Sequence, residues 1–294
     1  MTYDCIIVGG GIAGLQAAIM LGRFQRKVMI IDGGEGRSSL CKQYNNILGF
    51  PEGISGEELR SRGFAQARSF GVERLQLEVD DVHSGFTVGT IDGNTHKAKS
   101  LLFATGVEER FPDIPGIKPC LGKSVYVCPD CDGYEIIGRN TVVVGSGDAG
   151  AGMAITLTYW EENITFINHG AEPLSLEMQG KLRENRIVVQ QVNVNKFVHK
   201  DGLMEKIETV GGLEIDAEKV FLGFSGNRVR SELAVNIGAE KNDKGHLLVH
   251  PRTRMTNVEG VWAAGDVVDH SQLVTTAMGD GSHAGVWIHK WLHG

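Results

Sequence analysis

The 294-residue sequence has no run of like charges and no uninterrupted apolar stretch of the roughly 18 residues that a membrane-spanning helix needs. Its formal net charge is −7, which argues against nucleic acid or an anionic membrane as the main partner. The first residues show neither a basic stretch nor the apolar core of a signal peptide, so a cytoplasmic location is expected. Small molecules and ordinary proteins are the expected partners.

Cysteine is scarce, and its count of five is odd, which excludes a disulfide-rich scaffold. Only Cys128 and Cys131 form a motif, the C-x-x-C of "YVCPDCDGYE". No second pair of Cys or His ligands follows at the spacing of a tetrahedral zinc site, so zinc is disfavoured and no metal is predicted. A purely structural disulfide is disfavoured in a reducing compartment. The pair is interpreted as a redox centre.

Glycine is abundant, with 40 residues, and some of these glycines form a motif at the start of the chain. "YDCIIVGGGIAGLQAAIMLGRFQRKVMIID" predicts a strand, a glycine turn, an amphipathic helix and a second strand. Gly9, Gly11 and Gly14 give G-x-G-x-x-G, and Asp32 follows at the position of a ribose-binding acid. Such glycines allow a tight turn, approach of a pyrophosphate and close helix packing. The segment therefore predicts a dinucleotide-binding unit.

A second copy of this unit begins at "NTVVVGSGDAGAGMAITLTYWEENITFINHG". Gly145, Gly147 and Gly150 repeat the spacing, and Asn168 occupies the position of the acid. Two such units predict an α/β chain with two Rossmann-like dinucleotide-binding domains. The second copy has neither a carboxylate for an NAD ribose nor an arginine for an NADP phosphate, and Asp148 lies in its turn. Nicotinamide binding there is doubtful.

Two further strand ends complete the pattern: "SLLFATG" ends at Thr105 and Gly106, and "GVWAAGD" ends at Gly265 and Asp266. The order of G-x-G-x-x-G, "ATG", C-x-x-C-D-G, a second G-x-G-x-x-G and "AAGD" resembles the low-molecular-weight thioredoxin reductase family. The resemblance covers essentially the whole chain. It also includes "NNILGFPEGISGEEL", with Asn46 in the position of the flavin loop.

The resemblance implies a homodimer with one FAD per subunit. It implies a discontinuous FAD domain, residues 1–112 and 245–294, interrupted by a smaller domain, residues 113–244, that carries the C-x-x-C pair. The residues implied to hold the adenosine and pyrophosphate half of FAD are Gly9, Gly11, Gly14 and Asp32. Those implied to lie along the rest of FAD are Asn46, Thr105, Gly106, Gly265 and Asp266.

The resemblance also implies the roles of the redox residues. Cys131 would face the flavin, Cys128 would attack the substrate disulfide, and Asp132 would donate and accept the proton. Thiol–disulfide exchange requires a thiolate, and a helix N-terminus with Pro129 in its first turn favours one. Nearby carboxylates disfavour the thiolate. An acid–base role for Asp132 would explain why a carboxylate is present there.

Three stretches depart from the family pattern. The arginine run of the NADPH site is replaced by "INHGAEPLSLE", and the Arg-Gln-Ala segment near the flavin is replaced by residues 272–274, "QLV". The motif "CPDC" is closer to the cysteine motif of relatives that oxidise small dithiols. It is also closer to that of cyanobacterial-type reductases without the NADPH signature. NADPH is therefore doubtful, and we expect reduction of a thioredoxin-like disulfide with another donor, such as a ferredoxin-like protein.

Three alternatives remain open from the sequence. A flavin dithiol oxidase would run the chemistry backwards, from a small dithiol to oxygen. A conventional NADPH-dependent thioredoxin reductase would need positive charge from residues such as His169 or Arg183. A flavin-binding redox sensor would use the cysteine pair as a switch without turnover.

Overall fold

The computed structural model describes residues 2–83 and 85–294, which divide into two compact units. The first unit comprises Met1–Ser39, Ser55–Glu109 and Arg228–Gly294, and the second comprises Leu40–Ile54 and Arg110–Asn227. Among the helices of these described residues, none combines the length and the apolar character required to cross a membrane.

The strands and helices follow the predicted alternation along the chain. In chain order the strands are β1 (Thr2–Tyr3), β2 (Cys5–Val8), β3 (Val28–Ile31), β4 (Glu73–Leu75), β5 (Val79–His83), β6 (Thr87–Thr90), β7 (Thr95–Ala98), β8 (Leu101–Phe103), β9 (Val107–Glu108), β10 (Val125–Tyr126), β11 (Thr141–Gly145), β12 (Ile164–Asn168), β13 (Val188–Gln190), β14 (Val194–Lys200), β15 (Leu203–Thr209), β16 (Glu214–Asp216), β17 (Lys219–Gly223), β18 (Arg228–Val229) and β19 (Val261–Ala263). The α-helices are α1 (Ile12–Arg23), α2 (Arg37–Leu40), α3 (Gly56–Ser69), α4 (Ile117–Cys120), α5 (Pro129–Asp132), α6 (Gly147–Leu157), α7 (Leu176–Glu184), α8 (Glu232–Asn236) and α9 (Val274–His293).

The first unit is built on a parallel sheet with the strand order β19-β8-β2-β3-β4. Its central strands read as continuous apolar runs because both faces of the sheet are buried. In β2, Ile6 and Val8 pack into a core shared with β5, β6 and β7, whereas Cys5 and Ile7 pack into a core shared with α1 and α9. The sheet therefore lies between helices and a smaller sheet, of order β1-β7-β6-β5.

The second unit repeats this architecture. Its parallel sheet has the strand order β10-β17-β11-β12-β13. In β11, Val142 and Val144 face a core that includes Phe197 and Ile207 of the antiparallel β14-β15-β16 sheet. Val143 faces the opposite core, with α6 and α7. The predicted α/β class with two Rossmann-like domains is confirmed.

The compact units differ from the predicted domain bounds at two places. Residues 228–244 were expected in the smaller domain, but β18 pairs with β9, and Ala234 and Ala239 pack into the core of the first unit. Residues 40–54 were expected in the first domain, but they group with the second unit. Both differences arise from contacts between segments distant in sequence.

Candidate active site

The first glycine loop joins β2 to α1, and its three motif glycines have different surroundings. A Cβ added to Gly9 would lie 2.4 Å from the Ala104 carbonyl oxygen, and one added to Gly14 would lie 2.0 Å from the Gly9 carbonyl oxygen. A Cβ added to Gly11 would meet no atom within 4 Å. Two glycines are thus required by close packing, and the third borders open space at the start of α1.

The beginning of α1 has the character of an anion site. Gly11 caps the helix without a side-chain hydrogen bond, and the first turn carries no acidic residue. Unpaired N–H groups and the positive end of the helix dipole favour a phosphate at such a position. The loop therefore fits the pyrophosphate of a dinucleotide such as FAD.

Asp32 follows β3 at the same edge of the sheet and is buried. The Gly10 N–H donates to its Oδ1 at 3.1 Å, while Arg60 Nη2 at 2.9 Å and Arg74 Nη2 at 3.3 Å donate to its Oδ2. The guanidinium of Arg74 also lies 3.7 Å from the centre of the Phe64 ring. Asp32 thus holds the glycine loop and pairs with two arginines.

The other predicted cofactor residues follow β8 and β19, whose carboxyl ends adjoin that of β2. The Thr105 hydroxyl donates to the Arg230 carbonyl oxygen, and Gly106 has a φ of +67°. The Gly265 N–H donates to Asp280 Oδ2 at 3.1 Å, which holds the turn that carries Asp266. In a parallel sheet, ligands bind outside these carboxyl ends.

Asn46 is exposed and belongs to the second unit, unlike the other predicted cofactor residues. Nearby Asn45 donates from Nδ2 to Glu135 Oε1 at 3.0 Å, so this segment contacts the turn that carries the cysteines. The flavin role of Asn46 stays a prediction.

The redox pair lies at the start of α5. Cys128 is the N-cap residue, Pro129 is in the first turn, and the two sulfurs form a disulfide with a Cα–Cα distance of 5.3 Å. The N–H groups of Cys131 and Asp132 donate to the Cys128 carbonyl oxygen at 3.3 and 3.1 Å. Both cysteines are half-buried. In the described part of the chain, no cluster of three or more His, Cys, Asp or Glu residues is placed to hold a metal ion.

The Asp132 carboxyl is adapted to carry a proton near neutral pH. Burial, and then the negative charge of Glu135, raise its pKa to about 7, while Lys219 acts in the opposite direction. Such a group can both give and take a proton at physiological pH. This agrees with the predicted role of Asp132, which remains a prediction.

The second glycine loop joins β11 to α6 and has a different chemical character. Asn168, which is fully buried, accepts a hydrogen bond at Oδ1 from the Gly147 N–H at 2.9 Å. Its Nδ2 donates to the Glu172 carbonyl oxygen at 2.7 Å and to Gln191 Oε1 at 2.9 Å. A Cβ added to Gly147 would lie 3.1 Å from Glu172 Oε2, so a carboxylate stands beside the loop.

Comparison with known proteins agrees with this arrangement. A family model described as pyridine nucleotide-disulphide oxidoreductase matches residues 3–281. The chain belongs to this family. A thioredoxin reductase of Mycolicibacterium smegmatis is 33% identical over 99% of this chain and 97% of its own length.

Two solved structures are similar along nearly the whole chain. The crystal structure of HlmI has a TM-score of 0.87 at 29% identity and covers 99% of this chain and 93% of its own. The thioredoxin reductase from Streptococcus pyogenes MGAS5005 has a TM-score of 0.87 at 25% identity and covers 99% and 98%. This member of the pyridine nucleotide-disulphide oxidoreductase family is therefore a flavoprotein oxidoreductase of the thioredoxin reductase type, as predicted.

One arginine of this oxidoreductase was missed by the sequence analysis. Arg37 Nη1 donates to Asp266 Oδ2 at 2.9 Å and to Gln272 Oε1 at 2.5 Å, and the guanidinium also pairs with Glu109. Burial opposes its charge, but Glu109 and Asp266 outweigh burial and raise the Arg37 pKa. Gln272 stands where the arginine of the family segment was expected. The absence of that arginine was the signal in the sequence that another arginine, Arg37, could supply the charge.

Two charged residues beside the redox turn of this oxidoreductase were also missed. Glu135 lies three residues after Asp132, and Lys219 comes from the start of β17. Lys219 Nζ donates to the Tyr126 hydroxyl at 2.7 Å and to the Lys123 carbonyl oxygen at 3.0 Å. Glu135 could have been found from its helical spacing to Asp132, whereas Lys219 required knowledge of the sheet order.

Proposed function

We propose that this chain passes electrons from a donor other than NADPH, by way of FAD, to the Cys128–Cys131 disulfide and on to the disulfide of a thioredoxin-like protein. The curated relatives, named thioredoxin reductases, support the choice of partner. Bound FAD would supply the two-electron chemistry. The open space at Gly11 and the uncapped start of α1 support the pyrophosphate position.

The choice of donor rests on the hydrogen bonds of the Asn168 side chain. Its carbonyl oxygen and its amide nitrogen make three hydrogen bonds inside the second unit, and the side chain is fully buried. Both amide hydrogens are therefore committed, and the side chain lacks the carboxylate that accepts hydrogen bonds from the ribose of a nicotinamide nucleotide. The residue keeps the loop in place without serving as the ribose acid.

The charges around this loop also oppose NADPH. Asp148 lies in the first turn of α6 and accepts a hydrogen bond from the Ser175 N–H at 2.9 Å. The carboxylate of Glu172 lies beside Gly147. His169 accepts from the Val194 N–H at Nδ1, and burial lowers its pKa, so it is neutral at pH 7. The anionic phosphates of a nucleotide would therefore be repelled by these carboxylates.

The redox turn supplies the chemistry that this proposal requires. Cys128 attacks a partner disulfide as a thiolate, Cys131 resolves the mixed disulfide, and Asp132 gives and receives the protons. The N-cap position of Cys128 and the proline in the first turn of α5 support the thiolate.

The deciding experiment is an anaerobic titration of the purified flavoprotein with NADPH and then NADH, following the oxidised flavin band. Dithionite is the positive control. We expect no bleaching by either nucleotide and full bleaching by dithionite. Bleaching by stoichiometric NADPH would refute the proposed donor and support a conventional reductase.

A second measurement tests the electron acceptor. Catalytic enzyme is mixed anaerobically with several equivalents of an oxidised thioredoxin and excess dithionite as the electron source, and the thioredoxin thiols are counted above those formed by dithionite without enzyme. Turnover is expected. Release of hydrogen peroxide from dithiols without thioredoxin reduction would instead support a dithiol oxidase, and a single equivalent without turnover would support a sensor.

A further inference from the structure

Glu135 is held in a fixed position one turn after Asp132. Asp132 ends α5 and is the N-cap residue of the 3₁₀ turn Gly133–Ile136, which carries Glu135, and residues three apart in such a turn are neighbours. Asn45 Nδ2 donates to Glu135 Oε1 at 3.0 Å, and Asn45 Oδ1 in turn accepts from Gln43 Nε2 at 2.9 Å. This bond restrains the Glu135 carboxylate beside the redox turn.

Four titratable groups interact with Asp132, from four parts of the second unit. They are Glu135 on the 3₁₀ turn after α5, Lys219 on β17, Tyr126 on β10 and Cys41 on the 40–54 segment. Burial raises the pKa of Cys41 to about 11 and raises that of Tyr126, so both are neutral at pH 7.

Glu135 and Lys219 are therefore the charges among these groups. The Lys219 ammonium donates to the Tyr126 hydroxyl and the Lys123 carbonyl oxygen, and it also interacts electrostatically with Glu135 and Asp132. The Glu135 carboxylate accepts its hydrogen bond from a neutral amide. A like charge on the same turn disfavours ionisation of Asp132.

We propose that Glu135 is a positioning residue for the catalytic proton: its carboxylate adds to the effect of burial in favouring the acid form of Asp132, so that Asp132 acts as the acid when the redox pair reduces a protein disulfide. The inference rests on the proposed function only for the role of Asp132 at the cysteine pair. It does not depend on which donor reduces the enzyme.

The step balances without an outside oxidant or reductant. The Cys128 thiolate attacks the partner disulfide, an enzyme–partner S–S bond forms, and the released partner thiolate takes the Asp132 proton. The Asp132 carboxylate then removes the Cys131 proton, and the Cys131 thiolate attacks Cys128. The enzyme disulfide re-forms, and the second partner thiolate takes the proton from Asp132. The partner gains two electrons and two protons, which the enzyme dithiol and Asp132 lose.

The test uses Glu135→Gln in the flavin-loaded enzyme, which keeps an oxygen for Asn45. Glu162→Gln is the matched control, because Glu162 is an exposed carboxylate of the same unit that does not contribute to the Asp132 shift. Each protein is reduced with dithiothreitol, desalted anaerobically and mixed with either of two disulfides. Bis(hydroxyethyl) disulfide releases a basic thiolate that needs a proton, whereas dithiobis(nitrobenzoate) releases a weakly basic one that does not.

We expect Glu135→Gln to slow exchange with bis(hydroxyethyl) disulfide about three- to fivefold at pH 7. Exchange with dithiobis(nitrobenzoate) should stay within about twofold, and Glu162→Gln should match the parent with the first probe. An equal loss with both probes would assign Glu135 a merely structural role and overturn the inference. Unchanged exchange with both probes would overturn it as well. NADPH bleaching of the flavin would refute the proposed donor alone.

Discussion

Replacing Gly11 with alanine should separate cofactor binding from folding in the first unit. Gly11 has a φ of −74° and a ψ of −173°, an extended conformation that alanine adopts without strain. An added Cβ meets no atom within 4 Å. The same change at Gly14 would place a Cβ 2.0 Å from the Gly9 carbonyl oxygen, so that the strand or the helix would have to move. Gly11→Ala should fold, and Gly14→Ala should not fold normally.

The magnitudes follow from these surroundings. Alanine is a poorer N-cap than glycine, which costs the apoprotein about 0.5–1 kcal/mol of unfolding free energy. The methyl group enters the space in which the proposed pyrophosphate approaches the start of α1. We expect FAD affinity to fall at least about 100-fold, which corresponds to about 2.8 kcal/mol. The loss of binding should therefore exceed the loss of stability several-fold.

The assay is a fluorescence titration of each apoprotein with FAD, together with chemical unfolding of the same apoprotein. Gly152→Ala is the control, since Gly152 lies inside α6 of the second unit and its Cβ would also meet no atom within 4 Å. That change should stabilise the protein by about 0.5–1 kcal/mol and leave FAD binding unchanged. A folded Gly11→Ala protein with parental FAD affinity would show that Gly11 does not face the cofactor.

Three further substitutions test charges and hydrogen bonds inside the two units. Asp280→Asn removes the buried charge that pairs with Arg254 at 2.9 Å, and chemical unfolding should show a loss of about 2–4 kcal/mol. Asp132→Asn should slow turnover about 100-fold in a thioredoxin reduction assay. It should also stabilise the protein at pH 8. A carboxyl whose pKa is raised from 3.8 to about 7 by folding stabilises the fold fully below pH 3.8. This contribution is lost as the pH rises through about 7, and the asparagine does not lose it. Asn168→Asp places a carboxylate 2.9 Å from Gln191 Oε1, and calorimetry should show destabilisation by about 2–4 kcal/mol without any gain in NADH binding.

Each of these expectations has a contrary result. Parental stability of Asp280→Asn would mean that the Arg254 charge is satisfied by water. For Asp132→Asn, turnover within about twofold of the parent would remove its acid–base role, since general acid–base groups contribute far more. Tight NADH binding by Asn168→Asp would show that the second loop is one substitution away from a working nucleotide site.

The fold was predictable from the sequence because its parallel strands are buried on both faces. Strands such as β2 and β11 are continuous apolar runs that end in glycine loops, and this pattern depends only on local sequence. The repeat at the same spacing then fixed two similar units. The disulfide of Cys128 and Cys131 was likewise visible as a motif.

The unit bounds and the charges of the site were less predictable, because they depend on contacts between distant segments. Arg37 and Gln272 are far apart in sequence but form one hydrogen bond at the carboxyl edge of the first sheet. The segment 228–244 joins the first unit through the pairing of β18 with β9. Neither contact has a periodicity or a motif of its own.

The two repeats give one position the same structural role, and the proposed function gives it different binding roles. In the first repeat, Asp32 Oδ1 accepts from the Gly10 N–H, and Oδ2 remains a charged acceptor held by arginines. In the second, Asn168 Oδ1 accepts from the Gly147 N–H in the same way, but its other polar atom is a donor that points to Glu172 and Gln191. An amide in place of the acid thus preserves the bond that holds the loop. In the proposed function, it also removes the carboxylate acceptor that a ribose would need. In the proposed function, the second repeat therefore keeps its architecture without binding a nicotinamide nucleotide.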